Sequence, residues 1–452
     1  MTITMNRIDR YLSIVPNHRQ KQMQELGFYA FVHYGLNTFT GKEWSRGKDS
    51  PRKFNPRRQD TDQWAEAVKA AGAKGIILTA KHHDGFCLWP TETTSYSIRN
   101  SPYQNGKGDI VREVSESCRK YGLKFGLYLS PWDRNSDCYG TPAYDDFYCR
   151  QLTELLTRYG EIFCMWFDGA CAAGRDGKPK QNYDFKRYFD LIHSIQPDCA
   201  LSNCGPDIRW VGNEAGIARE SEWNVVPTAL CDESYIASLS QQGKNDVKKL
   251  RRVDQRERDL GSREFLADYD DFMWYPAEVN VSIRFGWFYH WWQFPTIKSV
   301  KKLLHIYNTA VGGNSLFLLN IPPDQNGLFA KADVKRLRAL GQRIQGQFSS
   351  KILETDFITD NEAESYQKQI AFPSSQQVRT VVLKEDTDCS QRVERFKLTF
   401  FLGQTKTAVH SATVIGFSKF VVLKKPVLCD RVVLSVEACR RNPKIKTLAF
   451  YR

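Results

Sequence analysis

Apolar runs of strand length alternate with amphipathic segments of helix length through the first 200 residues. Phe28 to Val32 is apolar and ends in His33-Tyr34-Gly35. Residues 61–72 then place Trp64, Ala67, Val68 and Ala71 on one helical face, with Thr61 or Asp62 as the cap and Gly72 as the stop. Gly75 to Ala80 reads as a buried strand and runs into Lys81-His82-His83-Asp84-Gly85-Phe86. The same order recurs three times: helix 109–121 before Gly122 and strand 124–131, helix 144–159 before Gly160 and strand 162–168, helix 183–195 and strand 199–204. Helix, stop and strand at this spacing predict right-handed crossovers and a parallel sheet. Five such strands, with polar and aromatic residues at their C-terminal ends, predict an α/β fold of (β/α)8-like, TIM-type barrel form rather than an open sheet. No Gly-x-Gly-x-x-Gly follows the first strand, which argues against a dinucleotide site.

Residues 205–285 are less regular, and the charged stretch 241–264 reads as a partly helical insertion over the barrel mouth. Residues 285–292 crowd six aromatic rings into eight positions. A helix over 297–311, a last strand over 314–323 and a helix over 330–346 complete the barrel pattern. From about Leu353 the texture changes to β-branched runs with polar alternation, at 378–383, 395–401, 407–415 and 431–436. These predict a C-terminal β-sandwich of jelly-roll type. The expected division is a catalytic barrel over 1–346 and a sandwich over 347–452, closely packed because no low-complexity linker separates them.

Composition narrows the classes. Of 452 residues 13% are aromatic, more than a core of this size needs, and sugar clefts use such rings to stack on pyranose faces. The net charge of +13 is scattered, and its densest patch, Lys248 to Arg252, is followed by Asp254, Glu257 and Asp259. That is a solvated charged face, not a nucleic-acid site. The twelve cysteines include no Cys-x-x-Cys pair and several lie in apolar runs, as reduced thiols do. No signal peptide and no bilayer-spanning run is visible, so the expected location is cytoplasmic, with a periplasmic or secreted one if the true start lies upstream. Oligomeric state is not legible.

The chemistry-bearing residues at the strand ends are His33, Glu43-Trp44, His82-His83, Tyr128, Trp132, Trp166, Asp168, Glu214 and Trp287. In a closed barrel they converge on one cleft. Two carboxylates, several imidazoles and a ring of aromatics fit glycoside hydrolysis, in which one carboxylate attacks and another protonates the leaving oxygen. Each residue has a plainer reading: Asp168 as a turn cap, His33 as a satisfied core histidine, Glu214 as a surface charge, the aromatic block as core. Adjacent His82-His83 lack the His-Glu-x-x-His spacing of a zinc site, and no metal or other cofactor is expected.

Four motifs together, Phe31 to Gly35, Lys81 to Phe86, Met165 to Gly169 and Asn314 to Pro323, resemble the α-L-fucosidases of glycoside hydrolase family 29 over about residues 20–345. The resemblance implies a retaining enzyme with Asp168 as nucleophile. It implies a fucose pocket lined by His33, Glu43, Trp44, His82, His83, Tyr128 and Trp166, with Trp287 against the fucose methyl face. Trp210 to Gly216 is similar to the acid/base stretch of the branch selective for α-1,3/1,4-fucosides, which makes Glu214 the acid/base, with Glu220, Glu222 and Glu278 as competitors. Around 277–287 the chain departs from the family pattern, with Asn280 in place of Asp and Phe285 in place of Pro. The implied substrate is a fucosylated oligosaccharide or glycoconjugate. Rival readings are a broad-specificity fucosidase, a fucose-binding barrel without catalysis, and a metal-dependent hydrolase using His82-His83.

Overall fold

The computed structural model describes residues 6–232, 259–363 and 365–452. Eight parallel strands close into a barrel: β1 (Phe28–Val32), β2 (Gly75–Lys81), β3 (Lys124–Leu129), β4 (Cys164–Phe167), β5 (Ala200–Asn203), β6 (Ile208–Trp210), β9 (Ala277–Ser282) and β10 (Leu316–Asn320). The ring closes where Phe28 to Phe31 pair with Phe317 to Asn320. Between β6 and β9, β7 (Val225–Pro227) and β8 (Phe272–Trp274) form a small antiparallel ribbon outside the barrel.

Two of these strands, β6 and β9, lie in the stretch whose pattern looked irregular. The reason is physical. β6 has three residues, and β9 alternates Val279 and Val281 with Glu278, Asn280 and Ser282, yet all six of its residues are buried. Glu278 faces the polar barrel interior, where Tyr29 and Trp166 donate to it. Of the predicted insertion over 241–264, residues 241–258 lie outside the described residues; just after them is a short helix, Arg263–Leu266.

The helices α1 (Thr61–Ala70), α2 (Ile110–Tyr121), α3 (Ala143–Arg158), α4 (Phe185–Ile195) and α5 (Val300–Ala310) lie in the crossovers, and α6 (Lys331–Phe348) follows the last barrel strand. The cap of α1 is Asp60, which accepts from the Gln63 N–H at 3.0 Å. Thr61 and Asp62 are used instead between helices, against Ser117 of α2 at 2.8 and 2.7 Å. No described helix is long and apolar enough to cross a membrane.

The C-terminal strands are β11 (Lys351–Ile358), β12 (Tyr366–Glu385), β13 (Val393–Leu402), β14 (Thr405–Ala412), β15 (Lys419–Cys439) and β16 (Lys444–Tyr451), in the order β11-β16-β12-β15-β13-β14. They form one continuous sheet rather than the two separate sheets of a jelly roll. β12 and β15 are 20 and 21 residues long and slip register between Ala371 and Gln376 and between Val378 and Thr380. Such bulges bend a strand. The core beneath them is built from sheet residues such as Ile370, Val381, Phe396, Leu434 and Phe450. The sheet therefore folds over itself into the two layers of a sandwich.

A polar joint binds the barrel, the sandwich and the segment after β6. Asn314 adopts φ of 66°, which asparagine tolerates. Its amide donates to the Glu222 carbonyl at 2.8 Å, and its Oδ1 accepts from the Phe417 N–H at 2.7 Å. Gln391 also donates to the Glu222 carbonyl, at 3.2 Å. The Glu222 carboxylate is fully buried and paired with Arg209 and, at 3.2 Å, with Arg219. Burial works to raise its pKa, but the two guanidinium groups prevail and hold it below the ordinary carboxylate range. Removing one partner of such a cluster strands a buried charge. Glu222→Ala is therefore expected to lose roughly 3–5 kcal/mol in urea denaturation at pH 7. A loss below about 1 kcal/mol would show that water reaches the arginines and that the joint is not dry.

Candidate active site

Asp168 directly follows β4, so strand geometry sets its position. Its Oδ1 accepts from the Ala170 N–H at 2.7 Å, the turn-capping bond of the plainer reading. Its Oδ2 accepts from the Tyr128 hydroxyl at 3.1 Å and lies 3.7 Å from Nε2 of His83. A quarter of the side chain, 25%, stays exposed to the cleft. One oxygen is spent on structure and the other faces the site.

The three imidazoles are buried and neutral. Burial lowers the pKa of His33 to about 3, against the opposing bond from Asn320, and it lowers those of His82 and His83 as well. Their neighbours assign the tautomers. The Asn320 amide nitrogen donates to Ser282 Oγ and to the Trp287 carbonyl, so its oxygen accepts from Nδ1–H of His33 at 2.9 Å. Ser130 donates to the Trp132 carbonyl at 2.7 Å, so its oxygen accepts from Nδ1–H of His83 at 2.8 Å. The Asn37 amide donates to the Glu43 carbonyl and, at 3.4 Å, to Nδ1 of His82. Nε2 of His33 and His83 is thus an acceptor, while Nε2 of His82 carries a proton. Two acceptors and one donor suit the hydroxyls of a sugar.

Aromatic faces frame these groups. Tyr128 stacks on Trp166 with centroids 5.4 Å apart and also on His82 at 5.8 Å. Trp166 is fixed from below by its Nε1–H, which donates to Glu278 at 2.9 Å. Trp44 and Trp132 meet edge to face at 5.6 Å beside His83. Trp287 lies 4.9 Å from the His33 ring.

Glu43 does not point at a free space. It accepts from the Trp287 N–H at 2.8 Å, the Phe288 N–H at 3.3 Å and His290 Nε2 at 3.0 Å. The loop wraps so closely that a Cβ on Gly286, at φ of 80°, would sit 2.5 Å from Glu43 Oε1. Trp287 in turn donates through Nε1 to Glu214 at 3.3 Å.

The four candidate acids separate clearly. Glu214 is exposed as a residue, at the rim, but its carboxyl sits among enough protein to lose solvation. Desolvation first, and the nearby Asp168 charge second, push its pKa up to about 7. Burial raises Glu278 to about 7 too, but it is 1% exposed and enclosed by Tyr29, Trp166 and Ser202. Glu222 is locked between arginines. Glu220 is exposed, and its carbonyl accepts from Thr413 and Lys419 on the sandwich side. Of the four, only Glu214 combines a raised pKa with access to the cleft.

Asn320, Ser130, Asn37 and His290 support the site without having been singled out in the sequence. Asn320 carried a usable signal, since it ends the apolar run of β10 as His33 follows that of β1. Among the described residues no group of three or more His, Cys, Asp or Glu side chains is arranged to hold a metal ion. A separate polar cavity of about 940 Å³, which Arg52, Arg99 and Arg175 help to line, shares none of the strand-end residues.

The family model for α-L-fucosidases matches residues 13–347. α-L-Fucosidase 1 of Arabidopsis thaliana is 40% identical over 349 residues, which is 77% of this chain and 63% of the plant protein, so the alignment leaves over a third of that relative unmatched. A glycoside hydrolase 29 family member from an unknown rumen bacterium superposes with a TM-score of 0.83 at 36% identity, covering 97% of this chain and 77% of that one. A GH29 fucosidase of Ruminococcus gnavus, solved in complex with fucose, has a TM-score of 0.82 at 27% identity and covers 97% of this chain and 95% of that one. The chain belongs to the α-L-fucosidase family, glycoside hydrolase family 29.

Proposed function

We propose that this chain is a retaining exo-α-L-fucosidase that releases L-fucose from α-1,3/1,4-fucosylated, Lewis-type glycans. Residues 1–346 would form the catalytic barrel, and 347–452 a sandwich that braces the segment after β6. The observation that carries the reading is the contrast between two carboxyls on one cleft. Asp168 is held by Tyr128 and the Ala170 N–H, whereas Glu214 is pushed toward its protonated form by desolvation and by the Asp168 charge. The fucose bound in the Ruminococcus gnavus relative supports fucose as the glycone.

In the first step Asp168 forms a bond to the anomeric carbon as the glycosidic C–O bond breaks, and Glu214 gives its proton to the departing oxygen. In the second step ionised Glu214 takes a proton from water, the water oxygen attacks the same carbon, and the ester to Asp168 breaks. Two inversions give retention. The neutral imidazoles of His33, His82 and His83 orient hydroxyls without adding a charge that would quench the nucleophile. Trp210 to Gly216, the loop carrying Glu214, is the stretch that favours the α-1,3/1,4 branch over a broad specificity.

Asp168→Asn is expected to lower kcat more than roughly a thousandfold while L-fucose still binds, as titration calorimetry would register. Turnover near the parent level would remove Asp168 from the role.

The Glu214 carboxyl must be protonated to act as an acid, so kcat/KM for a glycan should fall as pH rises through about 7. In Glu214→Gln that alkaline limb should vanish, with glycan turnover down at least about a hundredfold. α-L-Fucosyl fluoride, whose leaving group needs no proton, should be far less affected. An alkaline limb persisting in the variant would assign it to another group, with Glu278 next in line.

Linkage is read by digesting Lewis-type trisaccharides beside 2′-fucosyllactose. Cleavage confined to the branched glycans is expected, and preference for the α-1,2 substrate would overturn the branch assignment.

A further inference from the structure

The polar surface has one marked apolar interruption. Every exposed Trp and Phe among the described residues is one of five: Trp44 at 41%, Phe285 at 67%, Trp291 at 80%, Trp292 at 52% and Phe294 at 61%. Four of them belong to the loop between β9 and α5, and the fifth adjoins Glu43. Clustered aromatic exposure of this kind marks an interaction surface.

The rings are held in place. Residues 291–296 form a short 3-10 turn opened by a reciprocal cap between His290 and Gln293. Thr296 accepts from the Phe285 N–H at 2.9 Å, a bond that the proline of the family pattern could not donate. Trp292 stacks on His290 with ring planes 14° apart, and His290 bonds Glu43 at 3.0 Å. Glu43 holds Trp287, and Trp287 reaches Glu214. The surface is thus joined to the acid/base side of the cleft by an unbroken chain of contacts.

We infer that Phe285, Trp291, Trp292 and Phe294 form a shelf that binds the leaving-group glycan, by stacking against the apolar faces of the sugars beyond fucose. The inference rests on the fucosidase reading above, because contacts running from Trp292 through His290, Glu43 and Trp287 reach Glu214, the proposed proton donor. In that reading the glycan leaves past Glu214, and the loop whose Trp287 bonds Glu214 also carries the four exposed rings. Indole is suited to the task, since it offers a broad face to sugar C–H groups while its N–H reaches a hydroxyl. The shelf gives the enzyme a preference for extended glycans over fucosides with a minimal leaving group.

The test compares two substrates in Trp291→Ala, Trp292→Ala and the double variant. One is a fucosylated Lewis-type trisaccharide. The other is α-L-fucosyl fluoride, whose leaving group has no face to stack. The ratio of kcat/KM for trisaccharide over fluoride is expected to fall about tenfold in the double variant, the scale of one or two lost aromatic contacts. The loss should lie in KM, with kcat for the trisaccharide within about twofold. Inhibition by the defucosylated disaccharide should weaken in parallel, and Trp292→Phe should restore most of the ratio. An unchanged ratio overturns the shelf. So does an unchanged ratio with a shift from dimer to monomer in sedimentation, which would make the rings an interface between copies. Failure of the parent protein to hydrolyse either substrate would instead overturn the fucosidase reading, a distinct result.

Discussion

The carboxylate of Glu43 organises the leaving-group half of the cleft. It accepts from two consecutive backbone N–H groups and an imidazole, all on one loop. A half-buried carboxylate with so many donors is held firmly, because each charge-assisted bond is stronger than a neutral one. The loop is correspondingly fixed, and Gly286 must be glycine to let it approach. Everything beyond follows: Trp287 stands against His33, its indole N–H meets Glu214, and His290 carries Trp292 outward. By family resemblance Glu43 belongs among the residues that line the fucose pocket. The geometry adds a second role, in which it binds the loop that forms the far wall.

The other half of the cleft obeys a different constraint, the neutrality of three histidines gathered beside Asp168, the proposed nucleophile. Burial keeps them neutral, and Asn320, Ser130 and Asn37 determine which nitrogen faces the cleft. These polar partners sit at or just beyond barrel strands or in the adjoining helix Leu36–Thr40, and so the barrel sets their positions. The sandwich contributes at longer range. Through Gln391 it grips the backbone at Glu222, which Asn314 just before β10 holds from the barrel side, while Arg209 on β6 grips the side chain. The segment that carries Glu214 is thereby anchored beyond its functional residue as well as before it.

What was legible in the sequence followed from one regularity. Apolar runs that end in a polar residue mark the C-terminal ends of barrel strands, and β1 to β5 and β10 obey it. β9 does not, because the interior of a closed barrel here is partly polar and the strand reads as charged and irregular. Its polar residues answer inward partners that no local pattern reveals, as Glu278 answers Trp166 and Tyr29. The long strands β12 and β15 looked like short ones because bulges break their alternation. Asp60, one residue before the expected cap, won because Thr61 was needed against Ser117. Asp168 and the imidazoles of His33, His82 and His83, the proposed pocket residues, were visible just past strand ends. Residues that orient them, such as Ser130 and His290, were not, since an ordinary polar side chain becomes a positioning group only by tertiary contact.

The glutamates in and around this cleft show why residue type alone cannot assign a role. Glu214, Glu222 and Glu278 carry the same carboxyl and lie within one region of the fold. Glu222 meets two guanidinium groups and stays ionised, so it serves as a joint. Glu278 meets three neutral donors and no cation, and desolvation raises its pKa to about 7, but those donors also close it off. It has the acidity of a catalyst without a path to substrate, and it works by holding Trp166 level beneath Tyr128. Glu214 meets one indole N–H and the field of Asp168 at an open rim. Its raised pKa therefore depends partly on the charge of Asp168. In the proposed mechanism esterification of Asp168 removes that charge, which would make Glu214 easier to ionise at the stage when the second step needs a base. The coupling between the two carboxyls thus suits Glu214 to act as acid in the first step and base in the second.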